Sequence, residues 1–426
     1  MRIGAMGSKG GFGSAGVLGR ASGPALLNLN DRIVFFGNSY VANGFAQAGN
    51  LVGFQSAGFT SWSQAVAQSK LYAPIGANLG VAGNTVAQEL ARINTVTALN
   101  PKCVLGDFGT NDISAVSSSA NQAAQDAAFA SITSTITSIY SGLFAGGAQY
   151  VVDQTIIPRA AGSTLAAPQE NVRQRVNAWK LAQAGARLKV VNAESLAPWT
   201  VGNGLQSDGL HPDTIGAFAI GQACGAVLAA ITNSADILGS AINAYSPNPT
   251  MAGTSGTRNV ATGTVATGWL LDSSTGGGVG CDGSVVTIDG RRWQVMTLSG
   301  SNSGTGKYVQ MSCFIPATMA AGDVLELIYE AEAESLVGVT TLYGQMFVFD
   351  GSFNTLLQSV SMFASDNEGY PTGTKRMTLR TPPFAVATGT PVNFEITFTA
   401  LLKDTSAVSG ILRIGRNCAR KVPAGA

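Results

Sequence analysis

Between residues 31 and 232, short apolar runs alternate with stretches whose apolar residues recur every three or four positions. A short apolar run is typical of a buried strand, and the longer period is typical of a helix with one face in the core. The strand-like runs are Arg32–Phe36, Ile75–Val81, Cys103–Phe108, Tyr150–Ile157 and Leu188–Asn192. The helical stretches are Thr85–Thr97, Ala123–Leu143, a stripe of Val172, Val176 and Trp179, and Thr214–Ile231. The alternation predicts an α/β domain with a parallel sheet covered by helices on both faces.

The pattern changes near Ala244. Two prolines in Tyr245–Pro249 discourage regular structure, so we expect a linker over residues 244–252. Helical periodicity then fades, and short β-rich runs are separated by Gly, Asn, Asp and Pro. These runs are Trp293–Leu298, Tyr308–Phe314, Val324–Tyr329, Gln345–Phe349, Lys375–Thr381, Val392–Thr399 and Gly410–Ile414. They predict an all-β sandwich, jelly-roll-like, over residues 253–426.

The composition limits the kinds of partner. A chain of 426 residues fits two domains better than one core. Only 12% of the residues are charged and the net charge is +1, so the overall charge gives no reason to expect a nucleic acid or a membrane surface as partner. The sequence also predicts no membrane-spanning segment.

The N-terminal sequence indicates where the first domain starts, and the cysteines bear on disulfides and metal sites. Residues 1–24 form a glycine-rich arm without the apolar core of a secretory signal, which leaves residues 25–243 for the α/β domain. The five cysteines are widely spaced and the chain has one histidine, so we expect mostly free thiols, no zinc site and no cofactor. The sequence does not decide whether Cys281 and Cys313 form a disulfide, or whether carboxylates in the second half bind Ca²⁺.

The first candidate for chemistry is Ser39. The apolar strand Ile33–Phe36 runs into Gly37, Asn38 and Ser39, which places a hydroxyl just after the carboxyl end of a buried strand. Ligands bind at that end of open α/β sheets. A serine there is also a common helix cap, so Ser39 alone does not establish a nucleophile.

The only histidine, His211, lies three residues after Asp208. A serine hydroxyl is a weak nucleophile until a base takes its proton, and imidazole is the side chain best suited to do so near neutrality. Asp208 can orient the imidazole through one ring nitrogen, which leaves the other for Ser39. A surface-loop histidine beside the helix cap Pro212-Asp213 is the alternative interpretation. The pattern predicts that Ser39, Asp208 and His211 meet at one end of the sheet.

Two loops are candidates for the donors that stabilise an oxyanion. The loop Asn78–Thr85 follows a strand and opens a helix, and Gly83 in it lets a backbone N–H approach a ligand. The loop Gly106–Asp112 closes the next strand, and Asn111 offers a side-chain amide. Each loop is also explained as an ordinary turn with a side-chain cap, so neither is specific alone.

Taken in order, Ser39, the Gly83 loop, Gly109–Asp112 and Asp208-x-x-His211 resemble the motifs of the SGNH (GDSL-type) hydrolase family. The resemblance covers about residues 30–232 and none of the second half. It implies a flavodoxin-like three-layer α/β/α domain with a five-stranded parallel sheet. No Gly-x-Ser-x-Gly motif occurs, which argues against an α/β-hydrolase.

The resemblance also implies a role for each candidate residue. Ser39 would be the nucleophile, His211 the base and Asp208 its orienting acid. The backbone N–H groups of Ser39 and Gly83 and the side chain of Asn111 would form the oxyanion hole. The family more often has Gly-Asp-Ser where this chain has Gly-Asn-Ser, which puts in question any role for a charge before the nucleophile.

Members of the family cleave acyl esters. The glycine-rich arm, the low charge and the sandwich are similar in style to phage tail proteins that deacetylate host surface polysaccharide. We therefore expect a serine esterase that removes O-acetyl groups from polysaccharide through an acyl-enzyme. The same resemblance implies a virion or extracellular location and a homo-oligomer, often a trimer.

Two alternatives stay open. One is a non-catalytic glycan-binding or virion structural protein on a hydrolase scaffold, and the other is a lipase or thioesterase of the same family. Some aromatic side chains of the second half are candidates for stacking on sugars, although packing inside the sandwich is the competing explanation. They are Trp269, Trp293, Tyr308, Tyr343 and Tyr370.

Overall fold

The computed structural model describes residues 24–239, 245–316, 319–364 and 375–422. The arm predicted over residues 1–24 therefore lies outside the described residues, apart from Pro24, and so does Tyr370. In the described part, the first half folds around a five-stranded sheet and the second half around two larger sheets.

Five parallel strands form the central sheet of the first half. The strands of this region are β1 (Ile33–Gly37), β2 (Phe45–Ala48), β3 (Leu51–Phe54), β4 (Asn78–Gly80), β5 (Cys103–Asp107), β6 (Tyr150–Gln154), β7 (Leu188–Val191), β8 (Thr200–Val201) and β9 (Gly204–Leu205). The sheet order is β4-β1-β5-β6-β7, and every neighbouring pair is parallel. Every residue of β1, β5 and β6 is buried, as central strands covered on both faces require. The predicted parallel sheet is confirmed.

Helices cover both faces of this sheet. They are α1 (Ser39–Ala42), α2 (Phe59–Val66), α3 (Val86–Ala91), α4 (Ile93–Thr97), α5 (Thr110–Ala115), α6 (Gln122–Ala145), α7 (Ala167–Ala182) and α8 (Thr214–Ile231). One core contains residues of α3, α6 and α7, and the other contains residues of α2 and α8. The helix predicted over Thr85–Thr97 is two short helices that meet at Arg92. The three-layer α/β/α architecture is thus confirmed.

Helix α8 corrects the expectation that no segment could span a membrane. By length and composition alone it could, because its 18 residues have a mean hydropathy of 1.8. In the structure its side chains Ile220, Cys224 and Leu228 are fully buried in the core beside the sheet. A central core helix that is covered on most sides has the same apolar composition.

The second half is a sandwich of two sheets. Its strands are β10 (Ser255–Asn259), β11 (Thr262–Gly263), β12 (Val265–Asp272), β13 (Val279–Ile288), β14 (Arg291–Gly300), β15 (Tyr308–Pro316), β16 (Val324–Val337), β17 (Val339–Phe349), β18 (Thr355–Ala364), β19 (Lys375–Arg380), β20 (Phe384–Ala385), β21 (Asn393–Leu402) and β22 (Ser409–Lys421). One sheet has the order β11-β13-β14-β22-β16-β19, with β20 also paired to β16. The other contains β10-β12-β15-β21-β17-β18. Apolar side chains from both sheets form one core between them, which confirms the predicted sandwich.

A hairpin of the first half completes the second of these sheets. Strand β3 pairs in parallel with β18, and β2 pairs with β3 at the edge. The side chain of Asn50 in the hairpin turn donates to the carbonyl of Thr355 at 2.8 Å. The two halves of the chain therefore share a continuous sheet.

Helix α2 and the loop after it provide a second junction. Trp62 and Ala65 of α2 belong to the sandwich core. The Ser69 hydroxyl donates to the Thr378 carbonyl at 2.7 Å. Arg380 forms a buried ion pair with Glu326 and also donates to the Leu71 carbonyl at 3.2 Å. The strands of the sandwich thus hold the loop that leads into β4.

The segment predicted as a linker packs against the sandwich. Tyr245 and Met251 are buried in the sandwich core. The backbone N–H of Asn417 donates to the Pro249 carbonyl at 3.0 Å. Ala244, the first residue of the predicted linker, lies outside the described residues.

Buried side chains decide several of the remaining predictions. Cys281 and Cys313 are free and buried, so they do not form the bridge that the sequence left open. Trp269 and Trp293 are also buried, which excludes them as exposed sugar-stacking residues. Tyr308 and Tyr343 are partly exposed. Among the described residues, no group of three or more His, Cys, Asp or Glu side chains is placed to hold a metal ion.

Candidate active site

Ser39 begins α1 immediately after the central strand β1. The preceding Gly37 is flanked by Gly80 of β4 and Asp107 of β5, because both strands pair with β1 there. The approach is so close that a Cβ on Gly37 would lie 2.4 Å from the Asp107 carbonyl oxygen. The loops after β4 and β5 therefore leave the sheet on either side of Ser39.

The structure brings Ser39, His211 and Asp208 together, although 172 positions separate Ser39 from His211. The Nε2 atom of His211 lies 3.0 Å from Ser39 Oγ. The Nδ1 atom of His211 lies 2.5 Å from Asp208 Oδ2. With the ring proton on Nδ1, Nε2 is free to accept the hydroxyl proton of Ser39.

The loop that carries His211 is held by backbone contacts. The second carboxylate oxygen of Asp208 accepts hydrogen bonds from the backbone N–H groups of Leu210 and His211. The hydroxyl of Tyr40, next to Ser39, donates to the Leu210 carbonyl at 2.7 Å. Asp213 caps α8 just beyond, by accepting from the Gly216 N–H. The alternative interpretation placed His211 in a surface loop beside a helix cap. That cap is present, but the His211 ring also contacts Ser39.

Hydrogen bonding keeps Asp208 ionised. Burial raises the pKa of its carboxyl, but the bonds from the His211 ring and from the Leu210 and His211 backbone outweigh burial and lower the pKa below its usual value. An ionised carboxylate favours the imidazolium that forms when His211 takes a proton from Ser39. The arrangement is therefore suited to general-base catalysis.

Gly83 and Asn111 lie on the two loops beside Ser39. Gly83 follows β4 and has a φ of 79°, in the left-handed region that favours glycine. Asn111 is the second residue of α5, and its side-chain Nδ2 donates to the Asn84 carbonyl at 2.9 Å. An amide nitrogen carries two hydrogens, so the other N–H of Asn111 remains for a ligand. This hydrogen bond ties the two loops to each other.

Asn38, the position at which the chain departs from the Gly-Asp-Ser pattern, is fully buried. Its Oδ1 accepts from the Tyr40 N–H and so caps α1. Its Nδ2 donates to the Asp107 carboxylate at 2.7 Å and to the Asp107 carbonyl at 3.1 Å. Burial raises the pKa of Asp107 to about 6. A donor at position 38 thus faces a buried acid.

Two residues at the site, Tyr40 and Arg159, were not among the sequence-predicted candidates. Tyr40 is buried and its ring meets the His211 ring edge to face, with centroids 5.8 Å apart. Arg159 follows β6, and its Nη2 donates to the Thr110 carbonyl at 2.7 Å. A charged residue soon after a predicted parallel strand was the available signal for Arg159, since such strand ends meet at one edge of the sheet.

The solved structures similar to this chain match it weakly. An acetylxylan esterase from Geobacillus stearothermophilus shares 16% identity, with 49% of this chain and 99% of that chain aligned and a TM-score of 0.35. A gut microbial diltiazem-metabolizing enzyme shares 13% identity, with 78% and 71% aligned and a TM-score of 0.35. The enzymatically active domain of tailspike protein 4 from bacteriophage CBA120 shares 15% identity, with 37% and 20% aligned and a TM-score of 0.26.

The comparison of sequences is more direct. No protein of curated function matches the sequence significantly. The family model of the GDSL-like lipase/acylhydrolase family matches residues 35–217, which run from β1 into the start of α8. This span includes Ser39, Gly83, Asn111 and the Asp208–His211 loop. Residues 35–217 are therefore a GDSL (SGNH) lipase/acylhydrolase domain, joined here to a β-sandwich.

Proposed function

We propose that the protein is a serine ester hydrolase that removes O-acetyl groups from polysaccharide. The observation that supports this proposal best is the chain of hydrogen bonds from Ser39 through His211 to Asp208. It lies at the carboxyl end of a parallel sheet, inside a lipase/acylhydrolase domain. These features support ester hydrolysis in general. They do not select a substrate, so acetylated glycan is the more specific part of the proposal.

In the proposed reaction, Ser39 Oγ attacks the acetyl carbonyl carbon while its proton passes to His211 Nε2. The backbone N–H groups of Ser39 and Gly83 and the free N–H of Asn111 stabilise the oxyanion. The intermediate collapses, and the sugar hydroxyl leaves with the proton from Nε2. Water then loses a proton to His211 and attacks the acetyl-serine, which releases acetate and returns the proton to Ser39.

The surroundings of Ser39 suit a short acyl group on a hydroxylated leaving group. Gly83 is exposed, and Asn84 and Asn111 are partly exposed on the flanking loops. Such small and polar residues offer hydrogen bonds to a sugar and little apolar surface to a long acyl chain.

An acyl-chain profile tests the proposal. With 4-nitrophenyl esters, we expect kcat/KM to be highest for acetate and about 10-fold lower or more for octanoate, because the loops beside Ser39 offer a long chain little apolar surface to bury. Purified enzyme should also release acetate from acetylated xylan or another O-acetylated polysaccharide, with Ser39→Ala as the blank. A preference for long acyl chains would instead favour a lipase or thioesterase.

A glycan-binding role for the sandwich is the second candidate function, and an exposed aromatic cluster favours it. Phe314, Phe347, Phe349 and Phe353 contact one another with ring centroids 5.5 to 6.3 Å apart. Phe314 is 48% exposed and Phe353 is 64% exposed. Exposed rings on a sheet face are suited to stacking on sugar rings.

Polar side chains continue this surface along the same sheet. Gln310 donates to the Thr399 hydroxyl at 3.0 Å, and Gln358 donates to the Gln345 side chain at 3.1 Å. Gln310 and Gln358 are partly exposed, whereas their partners Thr399 and Gln345 are buried. The four residues lie on β15, β18, β21 and β17, the strands that also carry or flank the aromatic cluster. Amides beside rings are the combination that hydrogen-bonds and stacks on a saccharide.

Affinity electrophoresis in the Ser39→Ala background tests the binding role. We expect acetylated xylan or acetylated glucomannan in the gel to retard the protein, and Phe314→Ala with Phe353→Ala to weaken the retardation about 5-fold, since each lost ring contact is modest. Val260→Ala is the control, because Val260 is also an exposed apolar residue of the sandwich, at 71% exposure. Retardation that is equal in all variants would exclude this face as the binding surface.

A further inference from the structure

Arg159 lies between the two loops on which the proposed reaction depends. It follows β6 in a segment that packs closely against the Asp208–His211 loop. The backbone N–H of the next residue, Ala160, donates to the Gly209 carbonyl at 2.9 Å. A Cβ on Gly209 would lie 2.3 Å from the Ala161 carbonyl oxygen, so no space separates the two backbones.

The side chain of Arg159 extends to the loop that carries Asn111. Its Nη2 donates to the Thr110 carbonyl at 2.7 Å, and Thr110 is the residue before Asn111. Thr110 follows Gly109, whose φ of 102° turns the chain sharply out of β5. The guanidinium therefore holds the carbonyl at the first residue of α5, directly beside Asn111.

The charge of Arg159 is not used in an ion pair. Among the residues that the structure describes, no carboxylate lies within salt-bridge distance of its guanidinium, unlike Arg173, which pairs with Glu170 and Glu194. The Nε atom of Arg159 is buried and has no hydrogen-bond partner. An unpaired, partly buried cation is costly in a folded protein, and such groups cluster at functional sites.

We propose that Arg159 is a positioning residue that fixes Asn111 relative to His211, so that the oxyanion donor and the general base keep one geometry during the reaction. This inference rests on the proposed function. It predicts that Arg159 contributes to the chemical step through Asn111, and not through a contact with the substrate.

A double-mutant cycle tests the inference with 4-nitrophenyl acetate, a small neutral substrate. We expect Arg159→Gln to lower kcat about 10-fold or more while KM changes little, because a charge-assisted hydrogen bond to the loop is lost. Asn111→Ala removes the oxyanion donor itself. In the Asn111→Ala background, Arg159→Gln should then change kcat less than about 3-fold, since the group it positions is absent.

Two further variants separate positioning from general destabilisation. Arg159→Lys keeps a donor for the Thr110 carbonyl and should recover most of kcat. Arg187→Gln is the matched control, because Arg187 also donates to backbone carbonyls, those of Ala148 and Gln149, at the opposite end of β6. It should leave kcat unchanged.

Four results would overturn the inference. Equal losses from Arg159→Gln with and without Asn111 would show that Arg159 does not act through Asn111. A loss confined to KM would assign it to substrate binding. A wild-type enzyme that hydrolyses no ester would remove the proposed function and this inference with it, whereas active wild type with normal Arg159→Gln would remove the inference alone.

Discussion

Replacing Ser39 with alanine is expected to lower kcat by about 10⁴-fold or more, because Ser39 supplies the hydroxyl that His211 Nε2 contacts in the described part of the chain. The Ser39 side chain contributes one hydrogen bond, to His211, so the loss of stability should be only about 1 kcal/mol. Acetate release and 4-nitrophenyl acetate hydrolysis, together with thermal unfolding, measure the two effects separately.

His211→Gln provides a partner experiment for the same prediction. If Ser39 and His211 act as one unit, the double variant should be no less active than either single variant. Ser138→Ala is the control, because Ser138 is exposed on α6 and its hydroxyl bonds only to a backbone carbonyl one turn earlier. Activity that survives in Ser39→Ala would contradict the assignment of the nucleophile.

The parallel sheet and its long helices were predictable because the signal is local. Every residue of β1, β5 and β6 is buried, so the strands are continuous apolar runs. Helix α8 has the bounds that its composition predicts. In such elements the residues that are apolar in the sequence are the ones that are buried in the structure, so the hydrophobic pattern alone predicts the element.

The β2–β3 hairpin could not be predicted in the same way. Its partner β18 lies about 300 positions later in the chain, where Gln358 is in register with Leu51. A strand whose pairing is supplied from so far away carries little local signal. Strand β13 was missed for a related reason, because glycine and polar residues interrupt it and its neighbours β11 and β14 supply the pairing.

The residues of the candidate site also differ in how far local sequence predicts them. Ser39, His211, Asp208, Gly83 and Asn111 were selected as members of an ordered motif, and the structure places the first three in one hydrogen-bonded chain. Arg159 belongs to no motif that the sequence displayed. The partner of Asn38 was also hidden, because nothing local indicates that Asp107 of the neighbouring strand accepts from its amide.

Because the Asn38 amide donates to the buried carboxylate of Asp107, we expect the isosteric substitution Asn38→Asp to be strongly destabilising. Asn38→Asp keeps the oxygen that caps α1 but replaces the donor to Asp107 with a second carboxylate, in a site where both residues are fully buried. Two carboxylates at 2.7 Å cannot both ionise there, so one proton must be retained. We expect the variant to lose at least about 2 kcal/mol of stability at pH 8.

The pH dependence of this loss has a definite sign. In the wild type, burial raises the pKa of Asp107 to about 6, above the ordinary aspartate value, with Lys180 opposing and Asp153 adding to the shift. The folded state therefore binds the Asp107 proton more tightly than the unfolded state, and the contribution of Asp107 to stability falls as pH rises from about 4 to about 6 and then levels off. With a second acid at position 38, the fall should continue above pH 6.

Chemical denaturation between pH 5 and pH 9 measures this difference, and activity provides an independent reading. Wild-type activity should decrease on acidification, because general-base catalysis requires an unprotonated base, whereas Asn38→Asp should lose both stability and activity as the pH rises. Asn121→Asp is the control, because Asn121 also caps a helix, α6, through its side-chain oxygen, but in an exposed position. Asn38→Asp combined with Asp107→Asn restores one donor and one acid, and should recover stability at pH 8. A double variant as unstable as Asn38→Asp would show that the acid pair is not the cause, and that the amide at position 38 is required for another reason.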